Sequence, residues 1–218
     1  MVTDGADEQT RTSDSLELVA GEVRVCPLCD LSRTRTLAVP GAGPESATIM
    51  FVGEGPGWNE DQQGLPFVGA AGKYLDELLG IANLRRGDVF ITNVVKCRPP
   101  GNRDPLPDEI AACSGYLDRQ LAIIDPLLVV TLGRFSMARW FAGEKISRIH
   151  GQPKQFGRFM VMPMYHPAAA LRAPAVRSQI EADFAKLPSI VTTAEQSRHK
   201  SNQESRHTEP LLDQMKLF

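Results

Sequence analysis

The sequence predicts an α/β protein, a three-layer α/β/α sandwich around a central, mainly parallel sheet of four strands. Three observations carry this. Short continuous apolar runs recur at 47–53, 88–93, 127–133 and 158–163, as strands buried on both faces require. Stretches with apolar residues at helical spacing separate them. Each run also ends in a Gly, Pro, Asn or His cluster, and an open parallel sheet binds its ligands beyond the carboxyl ends of its strands.

In chain order, residues 1–14 are polar and are expected to be flexible, leaving a domain over 15–193. A helix opens near Ser13 or Ser15, whose hydroxyls can cap it, and carries Leu16, Val19 and Val23 toward Cys26. The run Ala47 to Gly53 is the first strand, and Lys73 to Leu79 reads as helix. Asp88 to Asn93 is the second strand. Pro107 to about Ile124 is a helix with Ile110, Cys113, Leu117 and Leu121 on one face. Leu127 to Gly133 is the third strand, Phe135 to Phe141 a helix, and Arg158 to Pro163 the fourth strand. From Ala194 the chain turns to Glu, Gln, Ser, Arg, His, Lys and Asn, so 194 to about 208 is expected to be disordered within a tail over 194–218.

The 218 residues are 23 % charged and 42 % hydrophobic, which suits one ordinary globular domain. No apolar run approaches the roughly 18 to 20 residues of a membrane span. The first thirty residues lack the basic and apolar regions of a signal peptide, so a soluble, cytoplasmic, monomeric protein is expected. With 24 Lys and Arg against 26 Asp and Glu, the net charge of -2 gives no bulk attraction to polyanions, and nucleic-acid binding would need a local patch. The four cysteines are too few for a disulfide scaffold. Cys26 and Cys29 form a C-x2-C pair from one tight turn, and Cys97 and Cys113 follow with fifteen residues between them. Four thiolates complete a metal shell, and spacing leaves zinc and an iron-sulfur cluster both open.

Three strand-end clusters could carry chemistry. Gly53-Glu54-Gly55-Pro56-Gly57, continuing to Gly64-Leu65-Pro66-Phe67-Val68-Gly69, lets backbone approach a ligand around a carboxylate but matches neither a Walker loop nor G-x-G-x-x-G. Asn93, before Val94-Val95-Lys96-Cys97-Arg98-Pro99, offers an acceptor and two donors in a plane, the complement of a nucleobase imide or amide edge. His166, in Tyr165-His166-Pro167-Ala168-Ala169, could donate to a developing anion.

These motifs, in this order and together with the four cysteines, resemble the family-4 iron-sulfur uracil-DNA glycosylases of bacteria and archaea, over roughly residues 20 to 190. The resemblance implies a uracil-DNA glycosylase-like fold and a 4Fe-4S cluster on Cys26, Cys29, Cys97 and Cys113. It implies a monofunctional hydrolase that flips uracil from single- or double-stranded DNA, cleaves its N-glycosidic bond and leaves an abasic site for base-excision repair, with nucleoid association. Carried over by position, Phe67 stacks on uracil, Asn93 pairs with its imide edge, and His166 donates to O2. Gly53 and Gly55 bring backbone to the base, and Glu54 excludes the thymine methyl. Glu60 or Asp61 orients the attacking water, and Glu54 and His166 complete the catalytic set. Leu171 or Arg172 would fill the gap left by the base or contact phosphate, since the wedge position of another family, four residues after the histidine, is Ala170 here.

Arg148-Ile149-His150 is the remnant of a Lys-Arg-Arg-Ile-His stretch. In an X-type subgroup that histidine captures DNA covalently, which makes capture through His150 the alternative reading and Arg148 and His150 DNA-contact candidates. The chain closes on Gln214-Met215-Lys216-Leu217-Phe218, which resembles the peptide by which bacterial repair proteins dock into the sliding clamp, with Gln214, Met215, Leu217 and Phe218 as its contacts.

Overall fold

A computed structural model describes residues 14–214. The sheet has five strands: β1 (Ile49–Gly53), β2 (Phe90–Asn93), β3 (Leu128–Leu132), β4 (Lys154–Phe156) and β5 (Phe159–Met164). They lie in the order β2-β1-β3-β5-β4, with the first four in that order parallel and β4 antiparallel at the edge. Around them run α1 (Leu16–Val25), α2 (Trp58–Gln63), α3 (Ala70–Ile81), α4 (Pro107–Ile124), α5 (Arg134–Ala138), α6 (Ile146–Ile149), α7 (Pro167–Ala170), α8 (Pro174–Phe184) and α9 (Leu187–Gln214).

The period-2 alternation of buried strands sorts the core into two faces. Ile49, Phe51, Ile91, Leu128, Val130 and Met162 join Leu75, Leu78 and Leu79 of α3 and Phe184 of α8 on one side. Phe51 and Phe184 stack there with centroids 5.7 Å apart. Met50, Val52, Phe90, Val129 and Val161 meet Leu117, Leu121 and Ile124 of α4 on the other. The expected three layers result, each fully buried large apolar side chain contributing about 1.5–3 kcal/mol.

Helix boundaries follow local chemistry. Of the two serines that could open α1, Ser15 caps it, its Oγ accepting from the Leu18 N–H at 3.2 Å. Pro107 occupies the first turn of α4, where its missing N–H costs nothing, and Glu109 accepts from the Leu106 N–H at 2.7 Å. Asp125 ends the helix in the left-handed region at φ 45°.

Two expectations need correction. The sheet has five strands rather than four, because β4 is a short, polar, exposed edge strand without an apolar run to announce it. Gly157, at φ 56°, turns it back onto β5 in a tight hairpin, with Phe156 paired to Phe159. The segment 194–208, expected to be disordered, is helical within α9. Ile190 and Ala194 are buried against the domain, and the Arg198 guanidinium donates to the carbonyls of Asp125, Pro126 and Arg158. Polar composition hid this docking, which needs one buried stripe and one well-placed arginine. The expected flexible start at 1–13 and the clamp-peptide residues Met215, Leu217 and Phe218 lie outside the described residues.

Candidate functional site

The strand order reverses between β1 and β3, and at such a switch point the loops leave the sheet in opposite directions and open a crevice. A cleft of about 620 Å³ lies there. Glu54 to Gly57 come from the end of β1, Gly133 and Arg134 from the end of β3, and Tyr165 and His166 from the end of β5. Glu60, Phe67, Asn102, Arg103, Ile146 and Arg172 complete much of its wall.

Phe67 is held on the cleft wall at a cost. Its backbone is left-handed at φ 53°, a conformation of about 1–3 kcal/mol strain for a bulky residue. Arg86 maintains the turn, donating to the carbonyls of Pro66 at 3.0 Å, Phe67 at 2.7 Å and Gly72 at 3.4 Å, while Asp76 steadies its Nε at 2.8 Å. The chain passes so close here that a methyl on Gly72 would lie 1.8 Å from the Phe67 carbonyl oxygen. A methyl on Gly53 would lie 2.3 Å from Asn93 Oδ1 and 2.7 Å from the Phe67 ring. Gly53 and Asn93 pair across β1 and β2 and are not themselves on the cleft wall; the space above Gly53 is shared by Asn93 Oδ1 and the Phe67 ring, which is on the wall. Asn93 is 2 % exposed and its Oδ1 has no partner among the described residues. An orphaned buried acceptor costs about 1–3 kcal/mol and calls for a donor.

His166 stacks on Phe67 with centroids 5.5 Å apart. Its Nδ1 accepts from the Ala168 N–H at 3.1 Å, which places the proton of a neutral ring on Nε2. Burial lowers its pKa to about 4, so at neutral pH this is an uncharged donor.

The three acidic candidates separate. Glu60 Oε1 accepts from the N–H groups of Val68 and Gly69, both at 2.9 Å, and Oε2 from that of Gly57 at 3.1 Å. It lines the cleft but is spent as a clamp between two loops. Asp61, expected as a water-orienting candidate, is turned away from the cleft and buried. Its Oδ1 accepts from the Thr36 N–H at 2.9 Å, and Leu37 N–H bonds its carbonyl, so its role is to fasten α2. Among the described residues Glu54 alone lines the cleft with a carboxylate free of hydrogen bonds, its pKa raised by burial first and by Asp104 second, against the pull of Arg134.

The other candidates lie outward. Arg172 is on the wall and Leu171 is exposed beside it, while Ala170 is buried and cannot wedge. Arg148 is exposed on α6. His150 is not on the cleft wall; its Nδ1 is bound to the buried Asp183 carboxylate at 2.6 Å and its ring tilts against Tyr165.

The four cysteines are unpaired and share one corner, packed with Val19, Val23, Leu31 and Val95. Burial pushes the Cys97 and Cys113 thiols up, Cys113 to about 11, and each feels Cys29. Arg35 Nη1 donates to Cys97 Sγ at 3.1 Å and the Lys96 N–H to Cys113 Sγ at 3.3 Å, which are contacts suited to thiolates. Among the described residues no three His, Cys, Asp or Glu side chains are grouped closely enough to hold a metal ion. The four cysteines of this corner, two of them met by N–H donors, are the donor types that a thiolate-bound metal group takes.

Two functional residues escaped the sequence reading, Arg86 and Lys96. Lys96 Nζ is buried and donates to Thr92 Oγ1 at 2.5 Å, Gln120 Oε1 at 2.7 Å and the Asn93 carbonyl at 2.9 Å, and burial lowers its pKa to about 7. It fixes the backbone carrying Asn93 from beneath. The only hint in the sequence was a lysine inside an otherwise apolar stretch.

The Uracil DNA glycosylase superfamily profile matches residues 40–187. The chain is 52 % identical over 190 residues to the type-4 uracil-DNA glycosylase of Sulfurisphaera tokodaii, covering 83 % of this chain and 86 % of the relative. It is 48 % identical to that of Saccharolobus solfataricus, covering 83 % and 88 %. It is also 48 % identical to that of Archaeoglobus fulgidus, covering 80 % and 92 %.

The crowding around Phe67 predicts opposite outcomes for two glycines of α3. Gly72→Ala should lower stability by at least about 2 kcal/mol through overpacking. Gly80→Ala, with nothing within 4 Å of the added methyl, should raise it by about 0.5–1 kcal/mol. Chemical denaturation of both variants checks this.

Proposed function

The chain belongs to the type-4 branch of the uracil DNA glycosylase superfamily, and on that basis we propose how its cleft excises uracil. It is a monofunctional glycosylase that flips uracil out of DNA and hydrolyses the N-glycosidic bond, leaving an abasic site. Asn93 Oδ1, buried close to the Phe67 ring and without a partner among the described residues, carries the mechanistic reading. That acceptor suits the imide N3–H of uracil while Nδ2 donates to O4, and Phe67 supplies the stacking face. Cytosine has no proton at N3 and presents an amine to the Asn93 donor, so buried groups are left unpaired. Thymine differs by one methyl, which attraction separates by only about 1–3 kcal/mol; Glu54 excludes it sterically.

Breaking the bond from C1′ to N1 leaves an oxocarbenium-like sugar and a uracil anion. The Nε2–H of His166 stabilises the anion, donating where charge develops. Glu54, raised toward base strength by burial and free of protein hydrogen bonds, orients the water that adds to C1′. No lysine lines the cleft among the described residues, and Lys96 has spent its three donors, so no amine attacks the sugar.

Cys26, Cys29, Cys97 and Cys113 would hold a 4Fe-4S cluster, which supplies covalent cross-linking of the α1 corner to the loop after Asn93. Arg172, Arg148 and Leu171 are the DNA contacts of the outer wall. The C-terminal Gln214 to Phe218 peptide would tether the enzyme to the sliding clamp on DNA in the nucleoid, raising its local concentration. No helix among the described residues is long and apolar enough to cross a membrane.

A single-stranded oligonucleotide with one uracil, incubated with the protein and resolved with and without alkali, should show an alkali-dependent nick absent from a thymine control. An SDS-resistant slow band would overturn this in favour of capture through His150. Asn93→Asp, which replaces a donor by an acceptor facing O4, should cut uracil excision by about 100-fold or more, the ~2–3 kcal/mol of an unpaired buried group.

The lowered His166 pKa fixes a pH dependence. Between pH 6.5 and about 4 the unfolded chain binds a proton that the folded chain refuses, so stability is complete above 6.5 and falls as pH drops through that window. Urea titrations at pH 7 and 5 should show this loss in the wild type and a smaller one in His166→Gln. Deleting residues 209–218 should abolish clamp binding in a pull-down and spare excision from free DNA.

A further inference from the structure

Trp58 is the first residue of α2 and stands 56 % exposed; it is not itself on the cleft wall but directly follows Gly57 and lies two residues before Glu60, which both are. Large aromatic side chains are rarely left so open. Among the described residues no ring or guanidinium stacks on it, and it belongs to none of the three apolar clusters. Trp140 behaves in the ordinary way, packed edge-on against Phe159 at 6.4 Å and covered by Arg139.

Its support is stiff. Glu60 holds α2 to both neighbouring loops through three backbone N–H groups, and Asp61 pins the same helix to Thr36. Gly64, left-handed at φ 68°, closes the helix with its N–H on the Glu60 carbonyl at 2.8 Å. The side chain therefore rides on a fixed platform and loses only two rotatable bonds on contact.

The surroundings say what would cover it. Arg103, Arg134 and Arg172 lie on the same cleft wall, so a polyanion arriving at the mouth meets positive charge there. Arg103 is braced by Glu109 at 2.6 Å, whereas Arg172 is exposed with no ion pair among the described residues. A cationic rim with one open aromatic face is the pairing that holds single-stranded nucleic acid, phosphates on the arginines and a base on the ring.

We propose that Trp58 is a stacking platform for the nucleobase next to the extruded uracil, and that it grips the unstacked strand while the uracil occupies the cleft. The inference rests on the glycosylase reading. It explains how a strand that has lost one stacking partner by extrusion regains another on the protein.

Two measurements test it. Tryptophan emission should be quenched when a uracil-free single strand binds the wild type, and Trp58→Phe should lose that quenching, since Trp140 is already packed. Trp58→Ala should raise KM for a single-stranded uracil oligonucleotide by about 10-fold, within the range of one base–aromatic stack. The same substitution should have no effect when abasic spacers replace both nucleotides flanking the uracil. Unchanged quenching in Trp58→Phe, or an equal KM penalty on the spacer substrate, would overturn the proposal. The glycosylase reading is judged separately, by wild-type turnover on the intact oligonucleotide.

Discussion

Everything at the cleft depends on how close three residues come at the end of β1. Parallel register sets Gly53 opposite Asn93, and the loop after α2 returns Phe67 over both, leaving no room for a single methyl. Recognition of a flat base needs a stacking face and a hydrogen-bonding edge at right angles within one base's width. Two strand ends alone would hold them a strand spacing apart, about 4.8 Å. The missing side chain at Gly53 lets the ring and the amide converge. Phe67 pays in backbone strain, and Arg86 offsets that strain by collecting the carbonyls that the tight turn exposes. The strained turn is thus fastened by a residue that is not on the cleft wall, while the ring itself is packed against His166.

Lys96 performs the corresponding task beneath Asn93. A fully buried amine surrounded by neutral acceptors is an expensive way to hold a loop, since desolvation disfavours its charge. Its long stem and three donors let one amine bridge Thr92, the Asn93 carbonyl and Gln120 together, and Gln120 passes the connection on to Pro40. The residue after it is Cys97, and its own N–H meets Cys113. The strand end that carries Asn93 and the cysteine corner are therefore one continuous hydrogen-bonded unit, so loosening the corner would be felt at Asn93.

The sequence made the parallel strands legible because buried strands are apolar on both faces, and α4 legible because Pro107 and the helical stripe bracket it. The site motifs were legible because they fall at strand ends, where topology must bring them together. What escaped was decided by partners far along the chain. β4 exists only because Gly157 folds it onto β5, and α9 is held by Arg198 reaching residues some 40 and 70 positions earlier. Asp61 and Glu60 look equivalent as neighbours, yet the rotation of about 100° between adjacent helix residues points one toward Thr36 and the other toward the cleft loops. Arg86 and Lys96 are invisible in sequence for the same reason: their meaning is the set of carbonyls they reach.

The charge pattern of the cleft suits the bond that it breaks. The departing base carries negative charge while the sugar beside it becomes positive, so a fixed cation in the cleft would stabilise one and penalise the other over a few ångströms. A neutral donor avoids the conflict, because its dipole acts at short range on the atom it faces. Burial keeps His166 neutral, and the Ala168 N–H selects the tautomer that leaves Nε2–H as the donor. Arg103, Arg134 and Arg172 also stand on the cleft wall, and ion pairs with Glu109 and Asp104 temper the charge of the first two.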